Sequence, residues 1–435
     1  MDRVAFYTLG CKVNQYETEA MEELFHKRGY RTVDPDEEAD IYVINTCTVT
    51  NLSDRKSRQF IRRAKRINEE AIVAVVGCYS QVATQEVESI EGVDVIIGTT
   101  ARNRIVDLCE EVMEDRRRIN IVESLKGRRD FERLSITDIE SQTRAYMKIQ
   151  DGCNQYCSYC IIPYARGPIR SRPLEDIVEE SKRLAEAGFK EIVLTGIHVA
   201  SYGKDLKDVD LLAVVDRVAE VRGIERIRLS SMEPRMVDEE FMKRAVANGK
   251  LCDHFHLSLQ SGSDKVLKRM NRRYTTGEFK NIVELIRRYM PEAGITTDII
   301  VGFPGETKEQ FEESCQFVKD IGFSRVHVFK YSPRRGTPAS EFEDQIHGDV
   351  KNRRSERLIS LSQEVSQSFI DRYIGQVVEV LFEEESRGNK GYMEGYTTNY
   401  IRVKAKGCHD ISGEILPVKI MGKENNILIG KIEEF

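Results

Sequence analysis

The sequence has no apolar run near the ~18 residues that a membrane span needs; Ile72–Cys78, IVAVVGC, is typical of its longest. It opens MDRVAFYTLG, without a long apolar core or a cleavage site, so secretion is not expected and a cytoplasmic location without a membrane partner is. Tryptophan is absent, which excludes nothing by itself. There is also no basic excess. Lys and Arg total 66 against 72 Asp and Glu, for a net charge of −6. That excludes a uniformly cationic coat that would bind nucleic acid indiscriminately, but not local basic faces. Asn51–Arg66 carries seven positive charges and one negative, Arg116–Arg133 seven and three, and Lys265–Arg273 is basic as well. Any one such run reads as a solvated helix face; three together point to an RNA partner.

The chain has 435 residues, with 40% apolar and 32% charged, which suits a folded protein of two to four domains. Residues 1–125 alternate in a βα rhythm, with strands predicted at Val4–Leu9, Asp40–Asn45, Ile72–Val76, Asp94–Ile97 and Ile119–Val122. Parallel neighbours need crossovers, so the pattern predicts an open parallel α/β sheet. The segment between Asn14 and Arg28 reads as a helix, with Asn14 and Glu17 at capping-box spacing. A charged stretch, residues 126–140, reads as a linker. Within residues 141–373 six further βα units follow in about 185 residues, with strands at Tyr146–Ile149, Glu191–Thr195, Arg226–Leu229, His254–Leu259, Thr296–Val301 and Arg325–Tyr331. That length falls short of the ~250 residues of an eight-fold barrel, so an incomplete (β/α)6 barrel is predicted. A long helix is expected over Val350–Tyr373. Residues 374–435 show short alternating runs broken by Gly and Asn, and read as a small all-β barrel.

Ten cysteines in a reducing compartment point to metal ligation or catalysis rather than disulfides. Cys153, Cys157 and Cys160 form C-x3-C-x2-C in QDGCNQYCSYC, directly after the first barrel strand. Three thiolates in one loop suit a soft metal centre: a zinc knuckle completed from a distance, or a four-iron four-sulfur cluster with one iron left open. A second triplet is dispersed. Cys11, Cys47 and Cys78 each follow a predicted strand, which places all three at the carboxyl edge of one sheet, where such folds bind ligands. Gly10 and Gly77 would let the backbone turn just before a thiolate. The bland reading is three unrelated buried thiols; the sharp one is a second cluster with an open iron. Cys109, Cys252, Cys315 and Cys408 have no partner spacing and read as packing residues.

The CNQYCSYC knot on a βα barrel resembles the radical S-adenosylmethionine (SAM) superfamily. With the second triplet, the chain resembles the methylthiotransferase family from end to end, through GCKVNQYETE, NTCTVT, GCYSQ, GCNQYCSYCIIPYARGPIRSR, LTGIHVASYG, LSLQSGSDKVLKRMNRRY, VGFPGETKEQF and YSPRRGTPAS. The C-terminal segment looks like that family's TRAM domain. The resemblance implies two four-iron four-sulfur clusters, one on Cys153, Cys157 and Cys160 and an auxiliary one on Cys11, Cys47 and Cys78. It also implies SAM as both methyl donor and source of a 5′-deoxyadenosyl radical. The GCKVNQYETE opening looks most like enzymes that place a methylthio group on carbon 2 of N6-threonylcarbamoyladenosine at position 37 of tRNA. Relatives act on isopentenyladenosine in tRNA or on a ribosomal protein. Carbon 2 bears a C–H bond that is neither acidic nor nucleophilic, so the cofactor has to carry the hard step.

By the same resemblance, Tyr159 would pack on the adenine of SAM, Gly302 would border that adenine, and Gly196 would admit the amino group, unless it is a simple turn glycine. In HFHLSLQ the polar set alternates towards the barrel interior, so Ser258 and Gln260, nearest the carboxyl end, would reach the ribose or belong to a polar core packed with water. Arg166, Arg170 and Arg172 would bind phosphate or the SAM carboxylate, or pair with surface acids, and His198 would be a polar contact beside SAM. Arg62, Arg63 and Arg66 are the candidate RNA contacts of the first domain. Residues 374–435 hold eight Lys and Arg against ten Asp and Glu, so RNA contact there falls to Arg402, Lys404 and Lys406 on one side of a strand. The implied partners are the anticodon region of tRNA, an electron donor such as flavodoxin or ferredoxin, and a sulfur source. A non-catalytic iron–sulfur RNA-binding sensor is the rival of another class; it would need the cysteines but no SAM site.

Overall fold

The computed structural model describes residues 2–134, 136, 143–386, 389–407 and 411–433. The first domain is a parallel sheet of β1 (Arg3–Thr8), β2 (Arg31–Thr32), β3 (Ile41–Thr46), β4 (Ile72–Gly77), β5 (Val95–Ile97) and β6 (Ile119–Asn120), in the order β2-β1-β3-β4-β5-β6. β3 and β4 are buried throughout, as expected where helices cover both faces. The edge strand β2 went unpredicted, because two residues carry no alternation to read. The helix Lys12–Lys27 begins on Cys11, and the expected capping box is not there. Asn14 and Glu17 are both buried and turned to other partners, described below. The stretch predicted as a linker packs where it is described: Leu125, Leu134 and Ile136 are buried, and the Tyr16 hydroxyl donates to the Leu134 carbonyl at 2.7 Å. Ser135 and residues 137–140 lie outside the described residues, as does Cys408.

The second domain has six parallel strands in two bonded groups. β9 (Glu191–Gly196) pairs with β7 (Arg144–Asp151) on one side and β10 (Arg226–Leu229) on the other, with the short β8 (Arg170–Ser171) running antiparallel on β7. β11 (His254–His256), β12 (Gly294–Val301) and β13 (Arg325–Lys330) form the other group. Isolated bridges, Ile227 to Leu251 and Met232 to Leu257, join the groups. Among the described residues no ladder joins β7 or β8 to β13, so the barrel is incomplete. β11 is shorter than the expected His254–Leu259. Beyond His256 the chain weaves between neighbours: Leu257 N–H bonds Thr296 O, Ser258 N–H bonds Met232 O, and Gln260 N–H bonds Asp298 O. One apolar cluster fills the space between these strands and their helices, and the long helix Gly348–Asp371 closes against β13.

The last five strands, β14 (Val377–Glu385), β15 (Tyr392–Tyr396), β16 (Arg402–Lys406), β17 (Ile415–Glu424) and β18 (Ile427–Ile432), form a closed barrel in the order β14-β15-β16-β18-β17. Its β15–β16 turn plugs the amino-terminal end of the larger barrel. Tyr400, at φ +70°, stacks on His254 at 4.7 Å and on Tyr396 at 4.8 Å between ring centres. Arg228 donates to the carbonyls of Thr398 and Thr397 and lies 4.8 Å from the Tyr400 ring centre. Burial would raise the Tyr400 phenol, but Arg144, Lys12 and Arg228 outweigh it and hold its pKa below the ordinary tyrosine value. With that end stoppered, the carboxyl end of the barrel is where a site can open.

Candidate cluster and cofactor site

At that carboxyl end the chain leaves β7 through Gly152, whose φ is +74°. A Cβ there would lie 1.9 Å from the Pro168 carbonyl oxygen, so only glycine fits. The loop that follows carries Cys153, Cys157 and Cys160. Cys153 N–H bonds the Gly167 carbonyl and Cys160 N–H that of Cys157, both at 3.0 Å. Burial first, then the neighbouring Cys157 thiol, pushes Cys160 up to about 12. The three cysteines line a cavity of about 320 Å³ with Tyr159, Ile197, His198, Ser258, Gln260, Asp298 and Ile300. Its outer lip is Val49 and Thr50 of the first domain and Phe329–Ser332 of the barrel. Arg272 donates to Cys157 Sγ at 3.3 Å and to the Ser258 carbonyl at 3.0 Å. His198 lies 3.2 Å from Glu233 across the cavity wall.

The predicted cofactor contacts divide into two groups. Tyr159, Ser258 and Gln260 line the cavity, Gln260 with φ +72°. Gly196 and Gly302 do not line it. A Cβ at Gly196 would meet Gln150 at 2.9 Å, so this glycine lets β9 close on β7 and brings the Gln150 carboxamide to His198 N–H at 2.7 Å. Gly302, at φ +68°, lies under Lys351 of the long helix.

The dispersed triplet assembles at the carboxyl edge of β1, β3 and β4, which are neighbours in the sheet. Gly10 has φ +109°, and a Cβ on it would lie 3.0 Å from Cys47 Sγ, so the glycine leaves the cradle around the thiols open. Burial first, then the Cys78 and Cys11 thiols, pushes Cys47 up to about 12. Among the described residues no three His, Cys, Asp or Glu side chains are gathered for a single metal ion. An all-thiolate donor set of three, one cysteine on each of three irons, suits a cluster of the kind predicted.

Arg166 ties the two triplets together, and no periodicity in the sequence marks it. It lies six residues after Cys160, is fully buried, and donates through Nε to Cys78 Sγ at 3.2 Å. Its other nitrogens bond Glu17 at 2.5 and 3.0 Å and Asn14 at 2.6 Å. Glu17 also holds Lys148 at 2.6 Å and Arg102 at 3.1 Å. A buried ion network thus welds the first helix of one domain to the barrel of the other. Arg170 and Arg172 point the same way: Arg170 faces Asp151 at 3.4 Å, and Arg172 pairs with Glu180 at 2.6 Å. Of the expectations for these three arginines, pairing with acids is what the structure shows, though the acids are buried rather than at the surface. On the outer lip, Arg334 bonds Thr48, Asn51 and Asp54, fixing the NTCTVTN loop over the cavity.

Two family models match the chain: the radical SAM superfamily over residues 147–318, and the Uncharacterized protein family UPF0004 over residues 3–98. A threonylcarbamoyladenosine tRNA methylthiotransferase of Bacillus subtilis is 44% identical over 97% of this chain and 94% of its own length. The chain belongs to the radical SAM tRNA methylthiotransferases. The same-named protein of Aquifex aeolicus is 40% identical over 96% of this chain and all of its own. A tRNA-2-methylthio-N6-dimethylallyladenosine synthase of Geobacillus thermodenitrificans is 36% identical over 98% and 82%. Among solved structures, the radical SAM methyltransferase TsrM of Kitasatospora setae aligns over 78% of this chain and 74% of its own, with a TM-score of 0.57 at 16% identity, a likeness of fold. This methylthiotransferase is therefore an enzyme, and its family's cofactors are two four-iron four-sulfur clusters and SAM. No helix among the described residues is long and apolar enough to cross a membrane.

The RNA candidates are unevenly free. Arg62 and Arg66 are exposed on the helix Asn51–Ile67, while Arg63 pairs with Asp36 at 2.6 Å. On β16, Arg402 pairs with Glu394, and Lys404 is buried, 3.9 Å from Glu424; of the three, Lys406 alone is exposed. The cationic strand face that alternation predicts is thus largely spent on neighbouring acids.

Proposed function

We propose that this methylthiotransferase acts on N6-threonylcarbamoyladenosine at position 37 of tRNA, adding a methylthio group to carbon 2. Cys153, Cys157 and Cys160 would hold the cluster that binds SAM, and Cys11, Cys47 and Cys78 the auxiliary one. With both clusters and SAM in place, the cofactors supply a carbon-centred radical that can abstract the inert hydrogen, and a methylthio group to replace it. The chain's own part is placement. Ser258, Gln260 and Tyr159 shape the cavity beside the first triplet, and Arg272 offers an N–H to Cys157. Val49 and Thr50, two and three residues after Cys47, contribute to the wall of that cavity.

The observation that carries the reading is the Arg166 bridge. It runs from the helix just after Cys160 to the Cys78 thiol of the other triplet, so clusters held on the two triplets would be neighbours. A sensor without catalysis gives no reason for that convergence. Threonylcarbamoyl rather than isopentenyl as the modification rests on relatives such as those of Bacillus subtilis and Aquifex aeolicus. The test offers the reduced enzyme and SAM both tRNAs, followed by nucleoside mass spectrometry. Methylthiolation of the threonylcarbamoyl form is expected. Reaction of the isopentenyl form alone would overturn the substrate and leave the chemistry standing.

A further inference from the structure

Eleven large apolar side chains are exposed among the described residues; two of them, Val49 and Phe329, line the cavity, and three more, Leu52, Tyr156 and Tyr164, stand within two residues of its lining. Surface apolar residues scattered singly need no explanation, but a cluster around a site mouth does. Tyr156 is 54% exposed and Tyr164 48%, with ring centres 6.0 Å apart at 85°. Both flank cluster cysteines: Tyr156 precedes Cys157, and Tyr164 stands in the helix Ile162–Arg166 just after Cys160. Tyr156 holds φ +47°, a strained backbone for a bulky residue, and Asn271, itself at φ +58°, donates to its carbonyl at 2.9 Å. A loop that binds only a cluster could have hidden this ring; here the backbone is held in a costly conformation that leaves it in solvent.

From these observations we infer that Tyr156 and Tyr164 form a stacking platform for unpaired RNA bases beside the modified adenosine. The inference deepens the tRNA reading and rests on it. Unpaired loop bases present flat apolar faces that stack on aromatic side chains without regard to sequence. The charge beside the platform fits the same partner. Arg55, Lys56, Arg62 and Arg66 are exposed on the helix that starts at the lip, and none has an ion pair among the described residues. Phosphates tracked by that helix would position the RNA, and the tyrosines would hold its bases.

Because the chain has no tryptophan, Tyr164→Trp creates a lone fluorophore at the platform. Titrating it with an unmodified anticodon stem-loop RNA should quench its emission as the complex forms. The double variant Tyr156→Ala/Tyr164→Ala should weaken binding by roughly five- to 150-fold for each stacked base that is lost. The salt dependence should stay as in the parent, because no phosphate contact is removed. Tyr156→Phe/Tyr164→Phe should restore affinity, which separates stacking from misfolding, and iron content serves as the folding check. Full affinity in the alanine variant with silent tryptophan emission would overturn the platform and leave the tRNA reading intact. A stem-loop that fails to bind the parent would overturn both. A tryptophan response to a ribosomal protein, with none to RNA, would give the surface to a protein partner instead.

Discussion

Replacing Glu17 by Gln keeps its volume and removes its charge from the centre of the interdomain network. Glu17 faces Arg166 at 2.5 Å, Lys148 at 2.6 Å and Arg102 at 3.1 Å, all fully or almost fully buried. Burial would raise its pKa, but the three cations outweigh burial and hold it down to about 2, from an ordinary 4.5. At 1.36 kcal/mol per pH unit that difference is worth about 3 kcal/mol. Removing one partner of a buried pair costs a similar ~3–5 kcal/mol. Without Glu17, Asp151 and Glu132 are left to balance Arg102, Lys148, Arg166 and Arg170. Urea unfolding of the iron-free protein at neutral pH should show a loss of that size in Glu17→Gln. A carboxylate held down in the folded state stabilises fully above its unfolded pKa and progressively less as pH falls from about 4.5 towards 2. The gap between parent and variant should therefore narrow below about pH 4.5. Equal stability at neutral pH, or a gap that stays constant in acid, would refute the weld.

Anaerobically reconstituted protein should hold about eight irons, and alanine at either cysteine triplet should leave about four; full iron after replacing Cys11, Cys47 and Cys78 would remove the auxiliary site. Hydrogen bonds to cluster sulfurs raise reduction potentials, so Arg272→Gln, which takes the guanidinium from Cys157, should lower the midpoint of the SAM-binding cluster alone in a potentiometric EPR titration. An unmoved midpoint would sink that role. Reversing the charge of Arg62 and Arg66 should raise the Michaelis constant for tRNA and flatten its salt dependence, while SAM cleavage without RNA stays intact. An unchanged salt slope would place the phosphates elsewhere.

The βα rhythm, the incomplete barrel and the terminal β-barrel are legible in the sequence because hydrophobic period and Gly-marked turns carry them. The positions of both cysteine triplets are legible for a related reason: Cys11, Cys47 and Cys78 each follow a strand end, the loop of Cys153, Cys157 and Cys160 follows another, and strand ends are what periodicity locates best. What escapes is whatever depends on a partner far along the chain. Asn14 and Glu17 look like a helix cap by spacing, yet Arg166, about 150 residues away, claims both. Gly196 and Gly302 sit at the expected strand ends, but the atoms that demand a glycine there belong to Gln150 and Lys351. Lys404 alternates as a strand cation should, and only the closed barrel reveals that its side is covered. The Tyr400 plug, in a turn that reads as polar and featureless, has no local signature.

The division of labour between the two triplets is the centre of this account, and one variant tests it. The protein with Cys11, Cys47 and Cys78 all replaced by Ala, reduced and given SAM and threonylcarbamoyladenosine tRNA, should still release 5′-deoxyadenosine, because the loop at Cys153, Cys157 and Cys160 is untouched. It should yield no methylthio nucleoside by mass spectrometry. Methylthio product from this variant, or loss of SAM cleavage with the Cys153 loop still holding its iron, would contradict the account.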